Sequence, residues 1–162
     1  MVTKAILSGC SAAGLGKSIF ARLEPGDDLI QGIKQVCNDN DISNGVILCC
    51  IGSLNQAVFT YGKVLKDPAA ADTEENKIIT DGPVSLDGCQ GVICREEPGG
   101  NLSVHLHGAV MDNNGRVIAQ DFDEQGNTVF NTVDLVIADL GVPIVRKKDP
   151  ELPGLITKLD RE

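Results

Sequence analysis

The feature that most constrains the fold of this chain is a short turn between two strand-like segments. Residues 112–115, which read Asp-Asn-Asn-Gly, join residues 102–111 to residues 116–122. Asn-Gly is the strongest short-range signal of a β-hairpin, because tight hairpin turns need residues that tolerate positive φ angles. The sequence therefore predicts an antiparallel hairpin here, and a hairpin commits this part of the chain to a β-sheet.

One helix is expected among further strands. Asp27 is a good N-cap, and Leu29, Ile33 and Cys37 follow it at helical spacing, which predicts an amphipathic helix over residues 28–39. Residues 45–51 form a continuous apolar run typical of a buried strand, with residues 57–64 as the expected partner. Other strands are predicted over residues 17–23, 84–86, 91–95, 128–138 and 144–147. The sum is an α+β fold, a largely antiparallel β-sheet with one main helix.

The 162 residues fit one domain with a sizeable core. Residues 1–16 are small and rich in Gly and Ser, which predicts a flexible N-terminal arm. The domain is expected over residues 17–158, with residues 159–162 as a C-terminal tail. Residues 66–77 are polar and rich in Ala, which predicts a surface loop.

The net charge of −9 limits the partners of the chain. An acidic surface repels phosphate backbones, so direct DNA binding is disfavoured, and the AT-hook core Arg-Gly-Arg-Pro is absent. The one tight basic cluster, residues 146–148, is interpreted as the solvated end of a strand. Residues 14–18 imitate a phosphate-binding loop, but Ser11 occupies the position of the first glycine of that motif.

The cysteines and the hydropathy favour a cytoplasmic location. The six cysteines are expected to be reduced and mostly buried. Residues 7–10 imitate a lipoprotein cleavage box, but the apolar stretch of residues 5–7 is too short for a signal peptide. No apolar run approaches the roughly 20 residues that a membrane-spanning helix needs, so no membrane association is expected.

The only two histidines of the chain are one residue apart. His105 and His107 lie in a segment that alternates apolar and polar residues. On a strand, side chains at i and i+2 leave the same face roughly 7 Å apart, so both imidazoles can reach one metal ion. A metal site needs at least three suitable ligands, and the histidines supply two of them.

Several stretches, taken in this order and spacing, resemble the plants-and-prokaryotes-conserved (PPC) domain. The resemblance covers about residues 17–158 and implies a compact α+β domain, usually a homotrimer, with a fold similar to that of the zinc lyase acetolactate decarboxylase. Prokaryotic members are often described as predicted DNA-binding proteins, and in plants a similar domain follows AT-hooks and mediates association. The stretches that carry the resemblance are residues 22–29, 45–48, 51–54, 105–107, 112–118 and 129–137.

The resemblance also implies a third ligand. Many prokaryotic members carry a His-x-His pair and then Gly-Gly-His after the hairpin, whereas residues 119–121 of this chain read Ala-Gln-Asp. The expected metal ligands are therefore His105, His107 and Asp121, a set that suits zinc first, with iron or manganese as alternatives. Glu124 and Asp134 are candidates for supporting or acid–base roles.

These observations predict a pocket for a metal or a small ligand in a cytoplasmic homotrimer. The alternatives are a DNA-binding or DNA-associated regulatory protein, a metal-dependent lyase or hydrolase, and a non-catalytic assembly module with clefts between subunits. No catalytic residue and no substrate follows from the sequence.

Overall fold

The computed structural model describes residues 16–60, 77–148 and 157–161, and these ranges contain ten strands and one helix. The predicted α+β fold with a largely antiparallel sheet and one main helix is confirmed. In chain order the elements are β1 (Ser18–Leu23), α1 (Leu29–Asp39), β2 (Gly45–Leu54), β3 (Val58–Thr60), β4 (Lys77–Ile79), β5 (Val84–Glu97), β6 (Leu102–Met111), β7 (Val117–Phe122), β8 (Val129–Asp139), β9 (Ile144–Lys148) and β10 (Thr157–Arg161).

The described strands form one sheet that curves around the helix. Their order is β1-β8-β2-β5-β6-β7-β3-β4, with β9 beside β5 and β10 beside β9. Within the described ranges, the pairing of β5 with β9 is parallel and every other strand pairing is antiparallel. The helix α1 contacts both β1 and β6, which are separated by β8, β2 and β5. The sheet must therefore bend to bring both strands to the helix.

The helix begins at a residue that also fixes a distant turn. Its N-cap is Asp28, not the preceding aspartate that the sequence indicated. Asp28 Oδ1 accepts hydrogen bonds from the amides of Ile30 and Gln31, at 3.0 and 3.2 Å. Its Oδ2 accepts from the amides of Gly126 and Asn127, at 2.9 and 3.0 Å, so one carboxylate joins the start of α1 to the turn before β8.

The core lies between α1 and the concave face of the sheet, which we call the inner face. Apolar side chains of the helix meet β-branched and Leu side chains that alternate along the strands, because successive strand residues point to opposite faces. The opposite side of the sheet is the outer face. Fully buried members of the core include Leu29, Ile30, Ile33, Leu54, Phe59, Ile93, Leu106, Leu135 and Ile137.

Two predictions about the strands are wrong. The predicted strands 84–86 and 91–95 are one continuous strand, β5, because Gly88 accompanies a register shift in the ladder with β6 instead of ending the strand. The described part of the predicted strand 57–64, residues 57–60, does not pair with β2, since β3 pairs with β4 and β7 while β2 pairs with β5 and β8. Residues 61–64 lie outside the described residues.

Some predictions fall outside the described residues. Of the predicted N-terminal arm, only Gly16 is among the described residues. Of the predicted loop 66–77, only Lys77 is described, and it begins β4. The boundary predicted at residue 158 falls inside β10. In the described part of the chain, α1 is too short and too polar to cross a bilayer.

Candidate metal centre

The β6–β7 hairpin brings the three predicted ligands together. Residue pairing between the strands places His107 directly opposite Asp121. The turn is closed by Asp112, whose Oδ1 accepts hydrogen bonds from the amides of Asn114 and Arg116 at 2.8 and 2.9 Å. Because the Arg116 amide and its guanidinium both donate to this carboxylate, the pKa of Asp112 is lowered.

The donor atoms of the three side chains converge on one point of the outer face. His105 Nε2 lies 2.9 Å from His107 Nε2, and the two rings stack with centroids 4.9 Å apart. His107 Nε2 lies 4.0 Å from Asp121 Oδ1, and all three donor atoms lie within 4.8 Å of one another. Tetrahedral zinc, with bonds of about 2.0–2.1 Å, separates its ligand atoms by about 3.3 Å. The donor set therefore fits a divalent ion after small side-chain adjustments.

The protonation of His105 also suits a ligand. Burial is the largest cause that lowers the pKa of His105, and the charges of Arg146 and His107 lower it further, against an opposing effect of Asp121. A neutral imidazole is the form that coordinates a metal. Burial raises the pKa of Asp121, while the two histidines and Arg146 counteract that rise.

The group is accessible from solvent. The side chain of His107 is 58% exposed and that of Asp121 is 35% exposed. Within the described ranges these three residues are the one His, Cys, Asp or Glu group compact enough to hold an ion. Three protein ligands at an accessible position leave coordination sites for water or a small molecule.

Arg146 belongs to this face, which the sequence interpretation missed. The parallel pairing of β9 with β5 places Arg146 opposite Glu96, and on the same face of β5 Val92 lies opposite His105. Cys94 lies between them on β5, and the charge and hydrogen bonding of Arg146 counteract the effect of burial on the pKa of that thiol. Arg146 is thus a cation beside the histidine pair and not simply the solvated end of a strand.

A cavity of about 690 Å³ opens beside His107. Gly88, Gly108, Ala109 and Ala119 line it with small side chains, and Gln90 and Gln120 add two amides. Leu48 and Ile51 of β2 add an apolar side, and no sequence pattern pointed to it.

The other two acidic candidates are engaged elsewhere. Glu124 pairs with Lys34 of α1, with an Nζ–Oε1 distance of 2.8 Å. Asp134, on β8, accepts two hydrogen bonds from the Arg22 guanidinium at 2.6 and 2.8 Å. Neither carboxylate is part of the compact group around the histidines.

The cysteines within the described ranges are all free thiols. Burial raises the pKa of Cys37 to about 11, which keeps this thiol protonated at neutral pH. A hydrogen bond with Cys50 is the largest cause that raises the pKa of Cys89. The prediction that the cysteines are mostly buried is confirmed for the described ones, since Cys37, Cys50, Cys89 and Cys94 are buried and Cys49 is half-buried.

Comparison with known families identifies the domain. The sequence model of the Plants and Prokaryotes Conserved (PCC) domain matches residues 10–141. The chain belongs to this family. This PCC domain is also 30% identical over 130 residues to the bifunctional protein GlmU of Synechococcus sp. (strain JA-3-3Ab), and these residues are 80% of the chain but only 18% of that much longer protein.

Solved structures share the fold of this PCC domain. A plant- and prokaryote-conserved protein of Pyrococcus horikoshii is 23% identical, with a TM-score of 0.68 over 93% of this chain and 92% of that one. A metal-containing protein of Archaeoglobus fulgidus is 20% identical, with a TM-score of 0.70 over 90% and 95%. A candidate DNA-binding protein of Bacteroides thetaiotaomicron is 14% identical, with a TM-score of 0.72 over 91% and 94%.

Proposed function

We propose that this PCC domain binds a divalent metal ion through His105, His107 and Asp121 and holds a small ligand beside it. The observation that carries the proposal is the convergence of three donor atoms within 4.8 Å on one hairpin. The metal-containing Archaeoglobus protein of the same fold supports it. The replacement of the family's third histidine by Asp121 keeps three donors, because a carboxylate is an ordinary ligand in such sites.

Zinc is the first candidate, with iron and manganese as alternatives. Two histidines and one carboxylate form a known catalytic zinc set and also the facial triad of non-haem iron. An ion held here would supply Lewis acidity toward a carbonyl or a bound water. If the domain is an enzyme, metal-assisted lyase or hydrolase chemistry is the reaction class that this set supports.

The test is the metal content of protein purified without a His-tag or chelator, measured by plasma mass spectrometry. We expect near-stoichiometric metal in the wild type and its loss in a His105→Ala/His107→Ala double variant and in Asp121→Ala. Asp87→Asn is the matched control, since Asp87 is an exposed carboxylate of β5 outside the group. Absence of metal from the wild type, after supply of zinc, iron and manganese, would contradict the proposal.

DNA binding is the second candidate, favoured by the description of the Bacteroides protein. The net charge of −9 opposes it, because a duplex is bound mainly by neutralising phosphates with clustered Lys and Arg. A gel-shift assay at low salt separates the two functions, and saturable binding would favour a DNA-associated role.

We also propose that the domain is a cytoplasmic homotrimer. Exposed apolar side chains on the strands support self-association, among them Leu48, Ile51 and Phe130. The free thiols of the described cysteines fit a reducing compartment. Light scattering at micromolar concentration is expected to give the mass of a trimer, and a monomer would contradict the proposal.

A further inference from the structure

We infer that the outer face binds a small primary carboxamide with a short alkyl chain, its amide group at Gln90 and its chain in the cavity beside His107. The inference deepens the proposed function and rests on it in one respect, because the carbonyl oxygen of the ligand would also face the proposed metal ion. Two neighbouring rows of residues that cross β5, β6 and β7 carry the inference.

The first row is polar. Gln90 of β5 lies directly opposite His107 of β6, and His107 lies directly opposite Asp121 of β7. Directly opposed residues share a face of the sheet, with their Cβ atoms about 4.5–5.5 Å apart. Gln90 is exposed and lines the same cavity as His107. Its side-chain amide can therefore contact a molecule that also reaches an ion bound to His107.

The second row consists of small residues. Ala109 of β6 lies opposite Gly88 on one side and opposite Ala119 on the other, about 7 Å along the strands from the polar row. A Cβ added at Gly88 would enter open space. The row thus leaves a hollow in the cavity of about 690 Å³, a volume within the range of small-molecule pockets, about 300–1,000 Å³. Leu48 and Ile51 line the same cavity, so an alkyl chain in the hollow would leave water for apolar contacts.

The lining residues favour an uncharged ligand that has both a hydrogen-bond donor and an acceptor. No Asp, Glu, Lys or Arg is among the described residues that line the cavity. The side chain of Gln90 offers N–H donors and a carbonyl acceptor. A primary amide can form two antiparallel hydrogen bonds with such a group, whereas a carboxylate and a ketone have no donor. The second lone pair of the ligand's carbonyl oxygen stays free for an ion on His107.

The test is an NMR titration of the full-length protein in zinc-loaded and EDTA-treated forms. The chain has only two histidines, so the imidazole Hε1 signal of His107 reports occupancy of the cavity. The probes are acetamide, butyramide and hexanamide, with hexanoate and 2-heptanone as ligands of matched length that lack the N–H donor.

Both the chain length and the head group of the probe should matter. From acetamide to hexanamide, we expect the affinity to rise roughly two- to fourfold per methylene, the gain from burying such a group partly or fully. In the EDTA-treated form, hexanoate should bind at least about tenfold more weakly than hexanamide, because covering a carboxylate without a paired cation is costly.

Two pairs of variants separate the contributions. Gln90→Leu should lower the preference for hexanamide over 2-heptanone about fivefold, the value of one hydrogen bond. Gln125→Leu is its matched control, since Gln125 is an exposed glutamine outside the cavity, and it should keep the preference. Ala119→Leu should fill part of the hollow and flatten the dependence on chain length. Val117→Leu should not, because Val117 shares the strand and face of Ala119 but does not line the cavity.

Equal affinity for acetamide and hexanamide, or an unchanged amide preference in Gln90→Leu, would overturn the inference. Its failure is distinguishable from failure of the metal site, because the metal content is measured on the same samples. A wild type that takes up no metal but binds hexanamide, with the preference lost in Gln90→Leu, would sustain the inference while refuting the proposed metal. A zinc-loaded protein that binds none of the amides would refute the inference alone.

Discussion

Successive residues of β6 belong to two different environments. Val104, Leu106 and Val110 point to the inner face and are buried in the core. His105 and His107 point to the outer face, where Asp121, Arg146 and the cavity surround them. The difference teaches that one strand contributes one set of side chains to the core and presents the other set to the proposed metal site. Changes on the two faces should therefore have separable effects.

The largest effect is expected on the inner face. Leu106 is fully buried, so Leu106→Ala would remove its packing and leave a cavity, which costs about 3 kcal/mol of unfolding free energy. Urea denaturation measures the change. Val117→Ala, at a position 64% exposed on the outer face, should change the same quantity by less than about 0.5 kcal/mol. Similar losses in both variants would break the distinction between the faces.

Gly108 is a position where the two faces meet, because it lines the cavity while an added side chain would point at core residues. A Cβ at this position would contact Cys89 Sγ below any ordinary distance and would lie 2.9 Å from Phe122 Cε2. Gly108→Ala should cost about 2 kcal/mol through overpacking and should also disturb the adjacent His107. We expect both a lower denaturation midpoint and a reduced metal content. An undisturbed metal content would mean that the outer face tolerates strain on the inner one.

The Arg22–Asp134 ion pair should make the stability of the fold depend on pH, and this effect can be compared with the effects of the two preceding variants. Hydrogen bonds from Arg22 are the largest cause that lowers the pKa of Asp134 below its ordinary value of 3.8. Because the pKa of Asp134 is lower in the folded state than in the unfolded state, the ionised carboxylate stabilises the fold at pH values above its unfolded-state pKa. This stabilisation is lost as the pH falls through the folded-state pKa. Thermal unfolding of Asp134→Asn should therefore differ less between neutral and acidic pH than that of the wild type. Because the pair is exposed, the difference should be smaller than the effect of Gly108→Ala.

The smallest effect on stability is expected from the histidines themselves. In metal-free protein, His105→Ala/His107→Ala should change the unfolding free energy by less than about 0.5 kcal/mol, because these partly exposed side chains contribute little packing. The same urea denaturation used for Leu106→Ala measures it. A loss comparable to that of Leu106→Ala would show that the histidines hold the fold together.

The helix and the β6–β7 hairpin could be predicted from the sequence, because both depend on interactions between residues that are close along the chain. The helix over residues 28–39 and the hairpin at Asn114-Gly115 follow from capping and turn chemistry, and the hairpin in turn places Asp121 beside His107. Pairing between distant segments has no such signal. The partners of β3 and the place of Arg146 on the outer face both depend on contacts made across the sheet, so the sequence interpretation missed them.

The turn closed by Asp112 has a consequence for how this domain tolerates mutation. Because side chains alternate along a strand, inserting or deleting one residue between Met111 and Val117 would set Gln120 or Phe122 opposite His107 in place of Asp121. In a mutational scan scored on metal retention, Asp112 and Gly115 should rank with the ligands themselves, although neither is one of the three donors. An evolving lineage could thus abolish the proposed metal site by changing the length of this turn, with His105, His107 and Asp121 all still encoded.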